Sequence, residues 1–306
     1  MVRLVDNDMK VCFGAHSGCA IYKLFVLCLF RHARVFRHSR VQEIGTQDGV
    51  TPLSSRVDQQ TPPRNVRSNE SVLVDPQWLA ARINTEGSNN SGDAIRIIGM
   101  GQGIEQYLAA HIPGEVFVDW KTEIHDSHNP EMFNLPSRDQ IESLLSRLGI
   151  TPDTTIVLSD NMSSRLSARM FWTLRCYGHE KIKILDGGRR AWIQSGRSFT
   201  TEVPDIKPSR YIVTHENHRI RAELADVKTR LESGHRNFLI DSRPVEHFTG
   251  EEAGAVYHTG EQHERKGHIP TAHHIAWTDN FSEFGRFKPV EQLRDMYEHA
   301  GFDKNA

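Results

Sequence analysis

The 306-residue chain lacks the features that mark several common classes of protein. Its formal net charge is −2, so no excess of positive charge indicates binding to nucleic acid or to a charged membrane surface. The most hydrophobic run, residues 20–30, is too short to span a bilayer and is interrupted by Lys23. The composition is that of a globular protein, and we expect neither nucleic acid nor a membrane as a partner.

Cysteine is scarce. The four cysteines are Cys12, Cys19, Cys28 and Cys176. None of them forms a C-x-x-C motif, which argues against a disulfide framework and against a zinc site. His258, His263 and His268 recur at intervals of five, a spacing that suits neither one helix face nor the usual zinc patterns. We therefore expect no metal and no cofactor.

Residues 1–70 differ from the rest of the chain. Basic residues flank the hydrophobic run, as in a targeting peptide, but Asp6 and Asp8 precede it and no clear small-residue cleavage site follows. The alternative is an extension without regular structure or an over-long translation start. Residues 42–70 are polar, contain Pro62 and Pro63, and have the composition of a linker. A cytoplasmic location is favoured, with a targeting segment as the other interpretation.

Beyond residue 70 the sequence contains two copies of one unit. HIPGEVFVDW, residues 111–120, returns as HIPTAHHIAW, residues 268–277. In each copy an apolar run precedes this segment, and a proline-started amphipathic helix follows it and is closed by Gly149 or by Gly301. Strands that alternate with helices predict a parallel α/β sheet in each copy. We assign residues 71–205 to the first copy and 206–306 to the second.

A sharp corner joins a strand to a helix in the first copy. The apolar run 156–158 predicts the strand, and the apolar face of residues 168–174 predicts the helix. Backbone N–H groups converge at such a corner, and a helix N-terminus favours negative charge. Asp160 stands at the end of the strand, so the corner has the form of an active site or of an anion-binding loop.

The spacing of residues around this corner indicates how far the second copy should extend. Asp160 follows Gly149 by 11 residues, and the same count from Gly301 gives position 312, about six residues beyond Ala306. The second copy also has no counterpart of residues 168–196 in this chain. We therefore expect the second domain to be incomplete at its C-terminal end.

These motifs resemble those of the tandem rhodanese family, the thiosulfate and 3-mercaptopyruvate sulfurtransferases. The resemblance covers about residues 72–306. Its motifs include YLAAHIPGEVFVDW and LPSRDQIESLLSRLGI in the first copy, and FLIDSRPVEHFTGEE and KGHIPTAHHIAW in the second. It implies two rhodanese-like domains, each a parallel sheet flanked by helices, of which the first is non-catalytic.

The resemblance also implies a reaction. A cysteine at the end of the second domain's central strand takes a sulfane sulfur from a small anionic donor and passes it to cyanide or a thiol, without metal or cofactor. The thiolate is the nucleophile, and converging N–H groups stabilise it. That cysteine would lie about six residues past Ala306. The alternative is that this chain is a catalytically inactive rhodanese-like module that binds an anion or a protein; the sequence gives no indication of oligomeric state.

Arg243 is the residue that the resemblance implies for donor binding. A guanidinium can hold two oxygens of thiosulfate or of a carboxylate at once. The other interpretation is an ion pair with Asp241 or Glu246, and Asp241 is expected to organise the turn after the strand. By sequence, Gly99 and Met100 match the place of Arg243 in the first copy.

The remaining candidates have structural interpretations. In the non-catalytic loop, which contains Asp160 and Arg165, we expect Asp160 to be a structural anchor. His111 and His268, which open the HIP turns, are each expected to form a hydrogen bond within the turn or to a neighbouring element. Cys176 is expected to be a small buried hydrophobic residue. Lys266, in the insertion 248–266, is a candidate for assisting anion capture, as is its neighbour Arg265.

Overall fold

The computed structural model describes residues 71–83, 94–126, 128, 134–233, 239–254 and 265–301. Cys12, Cys19, Cys28, His258 and His263 lie outside this part of the chain. In the part that the structure describes, no helix has the length and apolar character needed to cross a membrane.

The first copy forms a parallel sheet of five strands. They are β1 (Leu73–Val74), β2 (Ile95–Met100), β3 (Glu115–Phe117), β4 (Thr155–Asp160) and β5 (Ile182–Leu185), in the order β1-β5-β4-β2-β3. The helices are α1 (Pro76–Ile83), α2 (Ile104–Ala109), α3 (Arg138–Arg147), α4 (Arg165–Cys176) and α5 (Gly188–Gln194). The α/β class predicted from the sequence is confirmed.

Strand β4 lies in the middle of this sheet, between β5 and β2. Its last five residues are buried, as expected for a parallel strand covered on both faces. Helix α4 follows after a loop of four residues, 161–164, and ten of its twelve residues are buried. The predicted strand–corner–helix is therefore the centre of the first copy.

The second copy forms a parallel pair of strands in the described residues. These are β6 (Leu239–Asp241) and β7 (Ala272–His274), with helices α6 (Leu224–Glu232), α7 (Val245–Thr249) and α8 (Val290–His299) and 3-10 turns at His218–Ile220 and Trp277–Asn280. Leu239 pairs with Ala272 as Ile97 pairs with Glu115, so the two copies share one strand register. The incompleteness of the second domain stays a prediction.

The helices that close the repeated segments begin differently. A capping box of Ser137 and Gln140 starts α3, with Pro136 one residue earlier, whereas Pro289 itself is the N-cap of α8. Both helices end as predicted, because Gly149 and Gly301 follow them with φ of 65° and 90°.

The chain that leaves the first copy runs along α3. Tyr211 N donates to Ser146 Oγ at 2.9 Å, and Val213 N donates to Glu142 Oε1 at 2.8 Å. The side chains of Tyr211 and Val213 are buried in the first copy's core. Residues 211 and 213 thus pack on the first copy. The division of the chain into two domains at residue 205 stays a prediction.

The two copies also share apolar core. Phe281 and Phe287 of the second copy belong to the buried cluster of the first. Phe287 N donates to Asp186 Oδ1 at 2.9 Å, in a buried hydrogen bond. The Arg165 guanidinium lies 5.4 Å from the centre of the Trp277 ring. A segment of the second copy therefore covers the carboxyl edge of the first copy's sheet.

Candidate active site

At the corner after β4, backbone N–H groups of Met162, Ser164 and Ser167 converge on one point, which we call the cradle. The side chain of Asp160, the last residue of β4, occupies it. Asp160 Oδ1 accepts hydrogen bonds from Met162 N at 2.7 Å and Ser164 N at 2.9 Å, and Oδ2 accepts one from Ser167 N at 2.7 Å. Asp160 is only 2% exposed. The side chain of Asp160 thus satisfies three backbone N–H groups of this corner, which is the arrangement expected of a structural anchor.

The backbone of the loop makes this convergence possible. Ser163 and Ser164 have φ of 53° and 61°, in the left-handed region that non-glycine residues rarely adopt. The tight turn that they form lies between Met162 and Ser167, the first and last of the residues whose N–H groups donate to Asp160. The loop thus holds backbone strain that the Asp160 carboxylate offsets through its three hydrogen bonds.

Neighbouring segments close over the cradle. A Cβ added at Gly188 would meet the Asp160 carbonyl oxygen at 2.2 Å, and one added at Gly285 would meet Ser163 Oγ at 3.3 Å. Arg165 lies outside the cradle, with Nη2 3.9 Å from Met162 Sδ and its guanidinium over Trp277. The first copy therefore has the scaffold of a reactive loop, but the space for a ligand is taken by Asp160.

Arg243 lies at the corresponding edge of the second copy, two residues after β6. Its Nε is 3.0 Å from both Asp241 Oδ1 and Oδ2, and its Nη2 is 2.5 Å from Oδ2. Nη2 also donates to Gly267 O at 2.8 Å. Arg243 thus forms the ion pair with Asp241 that was the alternative to donor binding. Arg243 N also donates to Asp241 Oδ1 at 3.0 Å, so Asp241 organises this turn, as expected.

The strand register corrects the matching of the two copies. Since Leu239 matches Ile97 and Asp241 matches Gly99, Arg243 corresponds to Gly101 and not to Gly99–Met100. The match of Arg243 to Gly99 and Met100 is therefore wrong. Apolar runs alone do not define the register of two strands, whereas their pairing with the next strand does. In the first copy, Met100 pairs with Asp160. Arg243 is therefore one residue beyond the position that would adjoin the second copy's own loop.

Sequence reasoning missed a buried carboxylate in the first copy. Glu115, 0% exposed, accepts from Ile112 N at 3.0 Å and lies 3.5 Å from Arg189 Nη1. Burial raises the pKa of the Glu115 carboxyl, and the nearby Arg189 opposes this change. The available signal was a glutamate at the start of an otherwise apolar strand.

Both HIP histidines occupy equivalent positions. His111 Nδ1 lies 2.7 Å from Tyr107 O and its ring stacks on Tyr107, while His268 Nδ1 lies 2.8 Å from Phe248 O and its ring stacks on Phe248. Each ring thus contacts a carbonyl oxygen of the preceding helix, α2 or α7, so these are the inter-element form of the hydrogen bonds expected from the sequence.

The Cys176 thiol does not suit a nucleophilic role. The residue is buried, and burial raises its pKa to about 12, so the thiolate is strongly disfavoured. Among the described residues, no group of three or more His, Cys, Asp or Glu side chains is arranged to hold a metal ion. Lys266 Nζ lies 3.4 Å from Glu251 O and its side chain is exposed, as is that of Arg265.

Comparison with known proteins agrees with this architecture. The model of the Rhodanese-like domain matches residues 76–195. The putative thiosulfate sulfurtransferase of Saccharopolyspora erythraea is 33% identical over 236 residues, 77% of this chain and 79% of the relative. The sulfur carrier protein TtuD of Thermus thermophilus is 32% identical over 237 residues, 76% of this chain and 79% of the relative.

A solved structure extends the likeness to the fold. The crystal structure of SseA from Escherichia coli, described with the 3-mercaptopyruvate sulfotransferases, has a TM-score of 0.63 at 25% identity. It covers 76% of this chain and 85% of that one. Tum1 from Saccharomyces cerevisiae, at 18% identity and a TM-score of 0.61, shares the fold over 74% of this chain and 78% of that one.

Proposed function

Because the chain belongs to the rhodanese family of sulfurtransferases, we propose that its complete form, which includes the second copy's loop, transfers a sulfane sulfur from thiosulfate or 3-mercaptopyruvate to cyanide or a thiol. The observation that carries the proposal is the pair of equivalent sites. The first copy has an N–H cradle filled by Asp160, and the second has Arg243 at the edge where its own cradle would stand.

In the proposed reaction, a cysteine thiolate in the second copy's loop attacks the outer sulfur of the donor. The S–S bond of thiosulfate breaks, sulfite leaves, and the cysteine becomes a persulfide. With 3-mercaptopyruvate the C–S bond breaks, and the enolate that leaves takes up the proton of the donor's thiol group to become pyruvate. Cyanide or a thiolate then attacks the outer sulfur, and the cysteine thiolate is released. A cradle like the one around Asp160 would stabilise the anionic sulfur through its N–H groups.

We place this cysteine at the second copy's equivalent of Asp160, about six residues past Ala306 by the repeat count. Cys176 does not suit the role, because it is buried and has a raised pKa. Arg243 would bind the oxygen atoms of the anionic donor at the mouth of the loop.

The test compares the 306-residue chain with a chain extended through the second copy's loop. Each is incubated with cyanide and either thiosulfate or 3-mercaptopyruvate, and thiocyanate is measured. We expect turnover by the extended chain, loss of turnover when its loop cysteine is replaced by serine, and background rates for the 306-residue chain. Arg243→Gln should raise KM for the donor, whereas Arg147→Gln, a matched control on α3 of the first copy with a side chain that is 52% exposed, should leave KM nearly unchanged.

Two outcomes contradict the proposal. Absence of thiocyanate with both donors in the extended chain would refute sulfur transfer and favour the binding-module alternative. Turnover by the 306-residue chain itself would refute the assignment of the nucleophile to the second copy's loop.

A further inference from the structure

We propose that Arg165, a residue of the first copy, binds the anionic sulfur donor at the active site of the second copy. This inference rests on the proposed function and deepens it, because it adds a donor-binding residue from the other copy. It also gives a task to a side chain that the cradle around Asp160 does not use.

The Arg165 side chain points away from its own loop and reaches the second copy. Its guanidinium lies 5.4 Å from the centre of the Trp277 ring, and its Nη2 lies 3.9 Å from Met162 Sδ, a weak acceptor. The cradle does not need this side chain, because the Asp160 carboxylate accepts from backbone N–H groups. An aromatic ring of the second copy therefore orients the Arg165 guanidinium.

Trp277 lies at the carboxyl edge of the second copy's strands. Its N–H donates to Ser242 O at 2.9 Å, and Ser242 stands between Asp241, the last residue of β6, and Arg243. Ile275 N donates in the same way to Asp241 O, at 3.2 Å. The ring that Arg165 contacts thus belongs to a residue that is bonded to the chain neighbour of Arg243.

The strand register places this contact beside the expected nucleophile. Ser242 directly follows Asp241 and so matches Met100 of the first copy. Met100 pairs with Asp160. In a complete second copy, Ser242 would therefore adjoin the equivalent of Asp160, which is where we place the cysteine. Arg165 and Ser242 contact the same tryptophan, so the guanidinium lies near the place where the donor would react.

In the described part of the chain, no carboxylate matches the charge of Arg165. No oxygen atom there accepts a hydrogen bond from its guanidinium, and the residue is only partly buried. By contrast, Nη2 of Arg243 donates both to Asp241 and to Gly267 O. An anionic donor at this edge would meet in Arg165 a planar set of N–H groups that can bind its oxygen atoms.

A purely structural role for Arg165 gives different expectations. If the guanidinium only joins the two copies by stacking on Trp277, its removal lowers the free energy of unfolding and leaves donor binding unchanged. If it binds the donor, its removal raises KM for the donor and leaves KM for cyanide unchanged. The response of KM for the donor therefore decides between the two roles.

The experiment uses the extended chain with cyanide and either thiosulfate or 3-mercaptopyruvate. We expect Arg165→Gln to raise KM for both donors by about fivefold, with kcat and KM for cyanide within about twofold. Arg165→Lys keeps the charge without the planar fork and should recover part of the loss. Arg190→Gln is the matched control, because the Arg190 guanidinium also lies over a ring of the second copy, 5.9 Å from the centre of Phe284. It should leave KM for both donors unchanged.

A second readout does not depend on turnover. The extended chain, with its loop cysteine replaced by serine, is titrated with thiosulfate, and ¹H–¹⁵N NMR spectra follow the arginine Nε–H signals. We expect the Arg165 signal to shift and to saturate, while the Arg190 signal stays in place. Sodium chloride at the same ionic strength is the control and should not reproduce the shift. Because Arg165 is intact here, this readout does not require a variant of Arg165 to fold.

The outcomes separate the two proposals. If the wild-type extended chain gives no thiocyanate with either donor, the proposed function is refuted and this inference falls with it. If the wild type turns over but Arg165→Gln leaves KM for the donors within about twofold, the donor-binding role alone is overturned. An equal rise in KM for Arg190→Gln would also overturn it, as would an Arg165 signal that responds only to ionic strength.

Discussion

Gly99 on β2 and Glu115 on β3 are so close that a Cβ at position 99 would lie 1.6 Å from Glu115 Oε1. The second copy reverses this arrangement, with Asp241 at the place of Gly99 and Ala272 at the place of Glu115. Each copy thus places one carboxylate in the same region of the fold, from opposite strands. In the first copy the carboxylate holds the HIP turn through Ile112 N, and in the second it holds Arg243.

Gly99→Ala should destabilise the protein by about 3 kcal/mol, because Glu115 must leave its place in a packed interior. Urea unfolding measures the change. Gly103→Ala is the control, since the nearest atom to its Cβ is 3.7 Å away and its φ is −77°; we expect less than about 1 kcal/mol from a poorer N-cap. The double variant Gly99→Ala/Glu115→Ala should cost less than the sum of the single changes, and strict additivity would contradict the contact.

Asp160→Ala should cost about 3 kcal/mol or more, because three buried N–H groups lose their acceptor. Asp160→Asn keeps one carbonyl oxygen and should cost less. Asp153→Ala is the control: its side chain is 85% exposed and pairs with Lys181 at the surface, so we expect about 0.5 kcal/mol or less. A loss below about 1 kcal/mol for Asp160→Ala would show that the loop does not need its internal anion.

The Cys176 thiol should resist alkylation in the native protein, because burial raises its pKa to about 12 and blocks the reagent. Iodoacetamide at pH 7.5 followed by peptide mass spectrometry measures this at the single residue. The same peptide from urea-unfolded protein serves as the control and should be labelled rapidly. Equal labelling rates in the two states would contradict the burial of this side chain.

Phe287→Ala should destabilise the protein by about 3–5 kcal/mol, since the side chain is 1% exposed and packs in the first copy's core. Phe284→Ala, three residues earlier in the same segment, is the matched control. Its ring is 54% exposed, so we expect a change of less than about 1 kcal/mol. Similar unfolding midpoints in urea for the two variants would contradict the shared core.

His179 should make the stability depend on pH. Burial lowers its pKa below the ordinary value of 6.5, so the unfolded chain binds a proton that the folded protein does not. Its contribution is complete above pH 6.5 and is lost as the pH falls from 6.5 through the lower folded pKa. The free energy of unfolding should therefore fall between pH 7.5 and 5.5, and less steeply in His179→Gln. His218→Gln, whose side chain is 83% exposed, should retain the wild-type slope.

The sequence predicted the local features of the site well. The apolar run 156–158 and the apolar face of residues 168–174 are short-range patterns, and they gave β4, α4 and the corner around Asp160. These features depend on neighbours in the chain, which periodicity and turn chemistry record.

Contacts between residues that are far apart in the sequence could not be predicted from these local patterns. Nothing around Glu115 in the sequence indicates Gly99 as its neighbour, because their proximity depends on strand pairing. The matching of Arg243 to Gly101 needed the same information. Phe287 donates a backbone hydrogen bond to Asp186, 101 residues earlier, and belongs to the first copy's buried cluster. No local pattern distinguishes this phenylalanine from the exposed Phe284.

The shared core has a consequence for dissecting the protein. Tyr211, Val213 and Phe287 come from beyond the sequence boundary at residue 205, yet their side chains complete the interior of the first copy. A fragment that ends at residue 205 would expose the apolar surface that these rings and methyl groups cover, and we expect it to aggregate. The sequence boundary at residue 205 therefore does not mark the end of the first copy's interior. We expect the first copy to need the residues that follow, up to Phe287, in order to fold.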